Sequence, residues 1–99
     1  MQLHFVGKNI EVTPALKEFT TEKLQALHKR FDSISKVNVT LHLEHIANIA
    51  ESTVFLKGAE IHATATEDDM YKAISVMAEK LLVQLQKHHD KLIDSHHQL

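Results

Sequence analysis

The chain's sharpest chemical pattern is a row of polar residues near its C-terminus, Lys80, Gln84, Lys87 and Lys91. On a helix turning about 100° per residue, Lys87 falls about 20° to one side of Lys80, Lys91 about 20° to the other, and Gln84 about 40° away. The apolar stripe of the same segment, Met70, Ile74, Met77, Leu81, Leu85 and Leu92, centres about 110° from Lys80. Glu79, Gln86 and Asp90 lie on the outer side, so the cations are sorted away from the acids. Ammonium groups spaced roughly 5–10 Å apart along such a ridge suit the phosphates of a nucleic-acid backbone. Each phosphate so neutralised releases counterions and adds roughly 0.7–0.9 to the salt slope of binding. Lys23 and Arg30, seven residues apart, share one flank of an earlier amphipathic segment. If they lie beside the ridge, the patch holds five cations. Spacing alone favours a solvated helix flank, with the lysines serving solubility, because charged flanks are common on surface helices.

Other chemistries find less support. Nine histidines invite a metal, yet His88-His89 and His96-His97 are about two helical turns, roughly 11 Å, apart. Neighbouring histidines diverge by about 100°. His42 and His62 fall on outward strand faces, and His45 at a strand end. No metal or other cofactor is expected. Cysteine is absent, which removes thiolate chemistry and disulfides. Two glycines leave no Gly-rich phosphate loop. Ser33, Ser35, Ser52, Ser75 and Ser95 stand in no nucleophile motif, and Glu67-Asp68-Asp69 reads as a helix start. The sequence therefore points away from an enzyme.

The formal net charge of -2 does not by itself announce a nucleic-acid binder. Its distribution says more. Residues 1–43 carry six Lys/Arg against four acids, residues 44–69 one against six, and residues 70–99 four against three. Two basic flanks enclose an acidic middle. No apolar run approaches the length of a membrane span, and Met1 to Val6 lack the features of a signal peptide. The expected location is the cytoplasm.

The elements that must position the ridge are legible. Residues 2–6 alternate as a short strand, followed by a turn at Gly7-Lys8-Asn9. Thr13-Pro14 opens a helix to about Phe31, with Leu16, Phe19, Leu24, Leu27 and Phe31 on its apolar side. Residues 36–46 alternate strictly, with Val37, Val39, Leu41 and Leu43 on one face. Residues 52–57 and 60–66 make two further strands around Gly58-Ala59, with Ile61, Ala63 and Ala65 inward. A long helix then runs from about 69 to about 92, capped by Thr66 or Asp68. The order is β-α-β-β-β-α. The expected fold is α+β, a four-stranded antiparallel sheet with two helices packed on one face. It forms one domain over residues 1–92, and 93–99 form a frayed polar tail.

Several segments, in one register, resemble the ribosome hibernation promoting factor and ribosome-associated inhibitor family. They are Glu60-Ile61-His62-Ala63-Thr64-Ala65 with Asp69-Met70-Tyr71-Lys72-Ala73-Ile74, and Lys80-Leu81 with Gln84-Leu85 and Lys87-His88. The opening Met1-Gln2-Leu3, with Gly7, Thr13 and Ala15-Leu16, agrees as well. The resemblance implies a fold related to the double-stranded-RNA-binding domain. It implies docking on the small ribosomal subunit near the decoding site, where mRNA and tRNA are excluded and translation stops. Basic residues of both helices face rRNA in the family, which here implies Lys23, Lys80, Lys87 and Lys91, with Arg30, Gln84, His88 and His89 beside them. Tyr71 is expected to pack the helix start rather than touch RNA.

Two departures stand out: Ser75 replaces the family's usual Asp, and Lys87-His88-His89 replaces its usual Lys-His-Lys. A histidine at that place gains charge only as the pH falls, so binding is expected to be tighter at low pH. The chain's length is similar to that of short family members, which implies promotion of inactive ribosome dimers with ribosome modulation factor. The inhibitor branch, which stabilises monomeric 70S ribosomes and opposes dimers, is the alternative. A protein-interaction module without RNA binding is a second.

Overall fold

A computed structural model describes the backbone of residues 1–97 and the side chains of residues 1–92. Its elements are β1 (Gln2–Lys8), α1 (Pro14–Arg30), β2 (Lys36–Glu44), β3 (Ala47–Leu56), β4 (Ala59–Glu67) and α2 (Met70–His97). The strands form one sheet in the order β1-β2-β3-β4. β2, β3 and β4 make the expected antiparallel meander, with Val37 opposite Val54 and Val54 opposite Ile61. β1 departs from expectation. It pairs with β2 in parallel, Leu3 opposite Val37, so the sheet is mixed. The reason is connectivity: a whole helix separates β1 from β2, and such a crossover returns the chain in the same direction.

Boundaries moved where local signals competed. Gly7 and Lys8 belong to β1 rather than to a turn, and the chain bends at Asn9, whose φ is 58°. A Cβ at position 7 would run into the Ile10 carbonyl oxygen, so the close pass of this loop requires glycine. β3 begins at Ala47, five residues before the expected start at 52. Its large apolar residue Ile49 falls on the face away from the core, and Ala50 and Ser52, which turn inward, are small, so the apolar alternation that marks a strand is weak there. The β2–β3 connection is thereby cut to His45-Ile46, with His45 at φ 55°.

α1 begins as its sequence dictates. The Thr13 hydroxyl accepts from Leu16 N–H at 3.2 Å, and Pro14 occupies the first turn. α2 is capped by Asp69, not by Thr66 or Asp68. Asp69 Oδ1 accepts from the N–H of Tyr71 at 2.6 Å and of Lys72 at 3.3 Å. Thr66 is still within β4, and Asp68 lies 3.9 Å from the Lys72 ammonium, which also meets Glu67 at 3.5 Å. Replacing Asp69 with alanine leaves two N–H groups without this acceptor. The expected cost is about 1 kcal/mol, read as a fall in melting temperature of about 4–8 °C. Asp68→Ala, at an exposed ion pair, is expected to shift it by less than half as much.

Both helices cover one face of the sheet. Leu16, Leu24 and Leu27 of α1 and Met70, Ile74, Met77, Leu81 and Leu85 of α2 are buried against Val37, Val39, Leu41, Val54 and Ile61. Leu92 was expected in this core, yet it is 53% exposed. Thr20, on the polar side by type, is fully buried, and its hydroxyl donates to the Leu16 carbonyl at 2.7 Å. The helices run in the same direction. Phe19 meets Tyr71 edge-on near their starts, with ring centroids 5.1 Å apart, and Phe31 meets His89 near the end of α1, at 6.2 Å. The opposite face of the sheet is uncovered and polar; its central row is His4, Asn38, Thr53 and His62. α2 extends to His97, beyond the expected end near 92. The expected fraying of 93–99, like the His96-His97 pair, concerns side chains and terminal residues outside the described ones. No described helix is long and apolar enough to cross a membrane.

Candidate nucleic-acid interface

β4 is a sheet edge, and among the described residues its outward carbonyls have no partner strand. Side chains of α2 cover part of that edge. Lys80 Nζ donates to the Thr64 carbonyl at 2.7 Å, and Gln84 Nε2 to the His62 carbonyl at 2.7 Å. One helical turn along α2 therefore matches two residues along β4, and the two side chains close part of the edge. Lys80 remains exposed, so its ammonium still has donors free for a second acceptor. Lys87 and Lys91 follow on the same flank, exposed and without a hydrogen bond or ion pair among the described residues. The ridge exists as a geometric feature.

The first helix contributes on the other flank of α2. Arg30 Nη2 donates to Gln86 Oε1 at 3.1 Å, and Gln86 Nε2 donates to Asp90 Oδ1 at 3.0 Å. The Arg30 guanidinium also lies 5.5 Å from the Phe31 ring centroid. Lys23 sits 5.3 Å from the Phe19 ring, which makes a T-shaped contact with Tyr71. Tyr71 therefore packs on α1 at the helix start, and it is 42% exposed.

The five cations form two rows rather than one patch. Lys80 starts one row at the β4 edge, while Lys23 and Arg30 form the other along α1. The outer crest of α2 lies between them. The rows converge at one place, where Arg30 and Lys87 border a shallow depression with Leu82, Val83 and Gln86. His88 and His89 stand apart from the ridge. His89 is turned toward Phe31, and both line a small recess at the end of α1.

Sequence reasoning missed the edge contacts of Lys80 and Gln84, because the identity of the edge strand depends on long-range pairing. It also missed the Arg30–Gln86–Asp90 chain, although the four-residue spacing of Gln86 and Asp90 was a visible signal. Among the described residues, no three His, Asp or Glu side chains gather as a metal site would require.

Comparison with known proteins agrees with this architecture. Residues 3–93 match the family described as sigma 54 modulation protein / S30EA ribosomal protein. The chain is 46% identical over 92 residues to the ribosome hibernation promoting factor of Escherichia coli K12, covering 93% of this chain and 97% of that protein. It is 45% identical over 92 residues to the factor of the same name from Klebsiella oxytoca, with the same coverage of 93% and 97%. A ribosomal subunit interface protein from Coxiella burnetii superposes with a TM-score of 0.87 at 33% identity, covering 91% of this chain and 99% of that one. The N-terminal domain of Protein Y from Thermus thermophilus superposes at 0.82 with 27% identity, covering 89% and 99%. By a family match over nearly all its length and by close relatives of the same extent, this chain belongs to the sigma 54 modulation protein / S30EA ribosomal protein family.

Proposed function

We propose that this protein is a ribosome hibernation factor. It binds the small ribosomal subunit near the decoding site, excludes mRNA and tRNA, and so halts translation in stationary phase or stress. With ribosome modulation factor it promotes inactive 100S dimers. The family is non-enzymatic, and the protein acts by occupancy in the cytoplasm. The observation that carries this reading is the flank of α2 bearing Lys80, Gln84, Lys87 and Lys91, in a chain whose relatives are named for hibernation. Lys23 and Arg30 meet rRNA from α1, with His88 and His89 at the end of the helix pair. Two rows separated by a helix crest suit two lengths of RNA backbone rather than one.

Sucrose-gradient sedimentation of ribosomes tests it. Protein added together with ribosome modulation factor should enlarge the dimer peak. Stabilised 70S monomers without dimers would instead favour inhibitor-type action. Salt is the second measure. About five phosphate contacts give a slope near 3.5–4.5, so affinity for small subunits should fall about 100- to 500-fold between 50 and 200 mM salt. A nearly flat response would place binding on the polar sheet face and on protein rather than RNA.

A further inference from the structure

The recess at the end of α1 has a size and lining that the phosphate ridge does not use. Its volume is about 110 Å³, and it is bordered by Phe31, Leu56 and Leu85 on the apolar side. Leu85 is 1% and Leu56 8% exposed, so these surfaces belong to the rigid core. The polar border is made by Arg30, Asp32, Ser33 and the two histidines. Drug-sized ligands occupy roughly 300–1,000 Å³, whereas an apolar cavity of ~150 Å³ takes one benzene ring. At about 110 Å³ the recess is smaller than that cavity, so it admits at most a single six-membered ring and nothing larger.

Its walls suit a flat, polar-edged ring. Unstacked bases in single-stranded RNA pack on aromatic side chains and on arginine planes, and they are read by hydrogen bonds at their edges. Arg30 is held by Gln86 at 3.1 Å and lies 5.5 Å from the Phe31 ring, so its guanidinium is tethered at the recess before any ligand arrives. The exposed His89 imidazole also meets the Phe31 ring, in a T-shaped contact with centroids 6.2 Å apart. Asp32 is the one carboxylate on the border among the described residues, and a carboxylate accepts from the exocyclic amino group of cytosine. Uracil presents an oxygen at that position, which a carboxylate repels. Lys87, which shares a depression with Arg30, supplies positive charge for the attached backbone.

We propose that this recess is a base-binding site that takes one unpaired pyrimidine, cytosine in preference to uracil, from single-stranded RNA. The inference rests on the reading of the protein as an rRNA binder and adds a sequence-sensitive contact to the sequence-blind phosphate contacts of α2.

The test is an NMR titration of the full chain with tetracytidylate, tetrauridylate and an abasic tetranucleotide, at about 50 mM salt. Tetracytidylate should shift the amides of Ser33, Leu56, His88 and His89, and the abasic oligomer should bind about ten-fold or more weakly. Asp32→Asn should abolish the preference for cytosine over uracil. Ser33→Tyr, which fills the recess from an exposed position, should remove the shifts at Leu56 and His88 while the spectrum stays dispersed. Equal binding of the abasic oligomer, or recess amides that do not move, would overturn the proposal. Pelleting with small subunits separates the two failures. A chain that pellets but binds the abasic oligomer equally lacks the base site, and a chain that does not pellet is not a ribosome binder at all.

Discussion

Replacing Lys80, Lys87 and Lys91 together with glutamate should weaken binding to small ribosomal subunits at least about 100-fold at ~0.15 M salt. Each lysine–phosphate contact contributes about four- to six-fold at that ionic strength through counterion release, and three multiply to about 100-fold before repulsion is added. Cosedimentation across a range of salt measures it. The remaining slope should fall by about 0.7–0.9 for each lysine removed. Lys80 complicates the triple variant, because its ammonium also donates to the Thr64 carbonyl on the β4 edge. A carboxylate there faces an oxygen and exposes part of the edge. Two further variants separate the effects. Lys87→Glu with Lys91→Glu leaves the edge contacts intact and should still lose more than about ten-fold. Lys80→Gln keeps a donor of the kind Gln84 already provides, removes one charge, and should lose about five-fold. If the triple variant, folded by circular dichroism, still pellets with ribosomes as the parent does, the ridge is not the interface.

The placement of those lysines shows what a sequence discloses and what it withholds. Angular sorting on α2 depends only on the helical repeat, so spacing by itself puts Lys80, Gln84, Lys87 and Lys91 on one flank. The strict alternation of Val37, Val39 and Leu41 likewise marks the buried face of β2. What surrounds the flank depends on long-range pairing. The sequence does not say that β4 is an edge, so Lys80 and Gln84 could not be assigned to its carbonyls. Nor does it say on which side of α2 the first helix lies, and that choice divides the five cations into two rows. The cap of α2 is ambiguous for a local reason. Thr66, Asp68 and Asp69 are all good capping types, and only the exact end of β4 selects among them.

Two rows also change what the histidines do. By family likeness, His89 takes the place of a lysine and should lend its charge to the ridge. Its ring instead packs toward Phe31, on the α1 side of α2. The imidazole therefore stands near Arg30 and Asp32, where the recess lies, and not beside Lys80. A His89→Lys variant should act on whatever RNA enters that end of the helix pair.

The ridge and the recess both depend on α2 lying rigidly across the sheet, and Leu81→Ala should be the most damaging single truncation of that contact. Leu81 is 0% exposed and follows Lys80 directly, so its burial fixes the rotation of α2 that places Lys80 over β4. Removing a buried leucine side chain loses its transfer free energy and leaves a cavity, costing about 2–5 kcal/mol. A domain of this size holds only about 5–15 kcal/mol in total. The melting temperature should therefore fall by about 10–25 °C, and the denaturation midpoint should move while the slope stays the same. Leu92→Ala is the matched control, since Leu92 occupies the same stripe in sequence but is 53% exposed. It should shift stability by no more than about 0.5 kcal/mol. Similar losses for the two would mean that α2 is anchored along its whole length and that the core does not end near Leu85. At a temperature where Leu81→Ala is still folded, ribosome affinity should fall less than stability does. The cavity loosens the rotation of the ridge but leaves its charges in place, so geometry and charge become separately measurable.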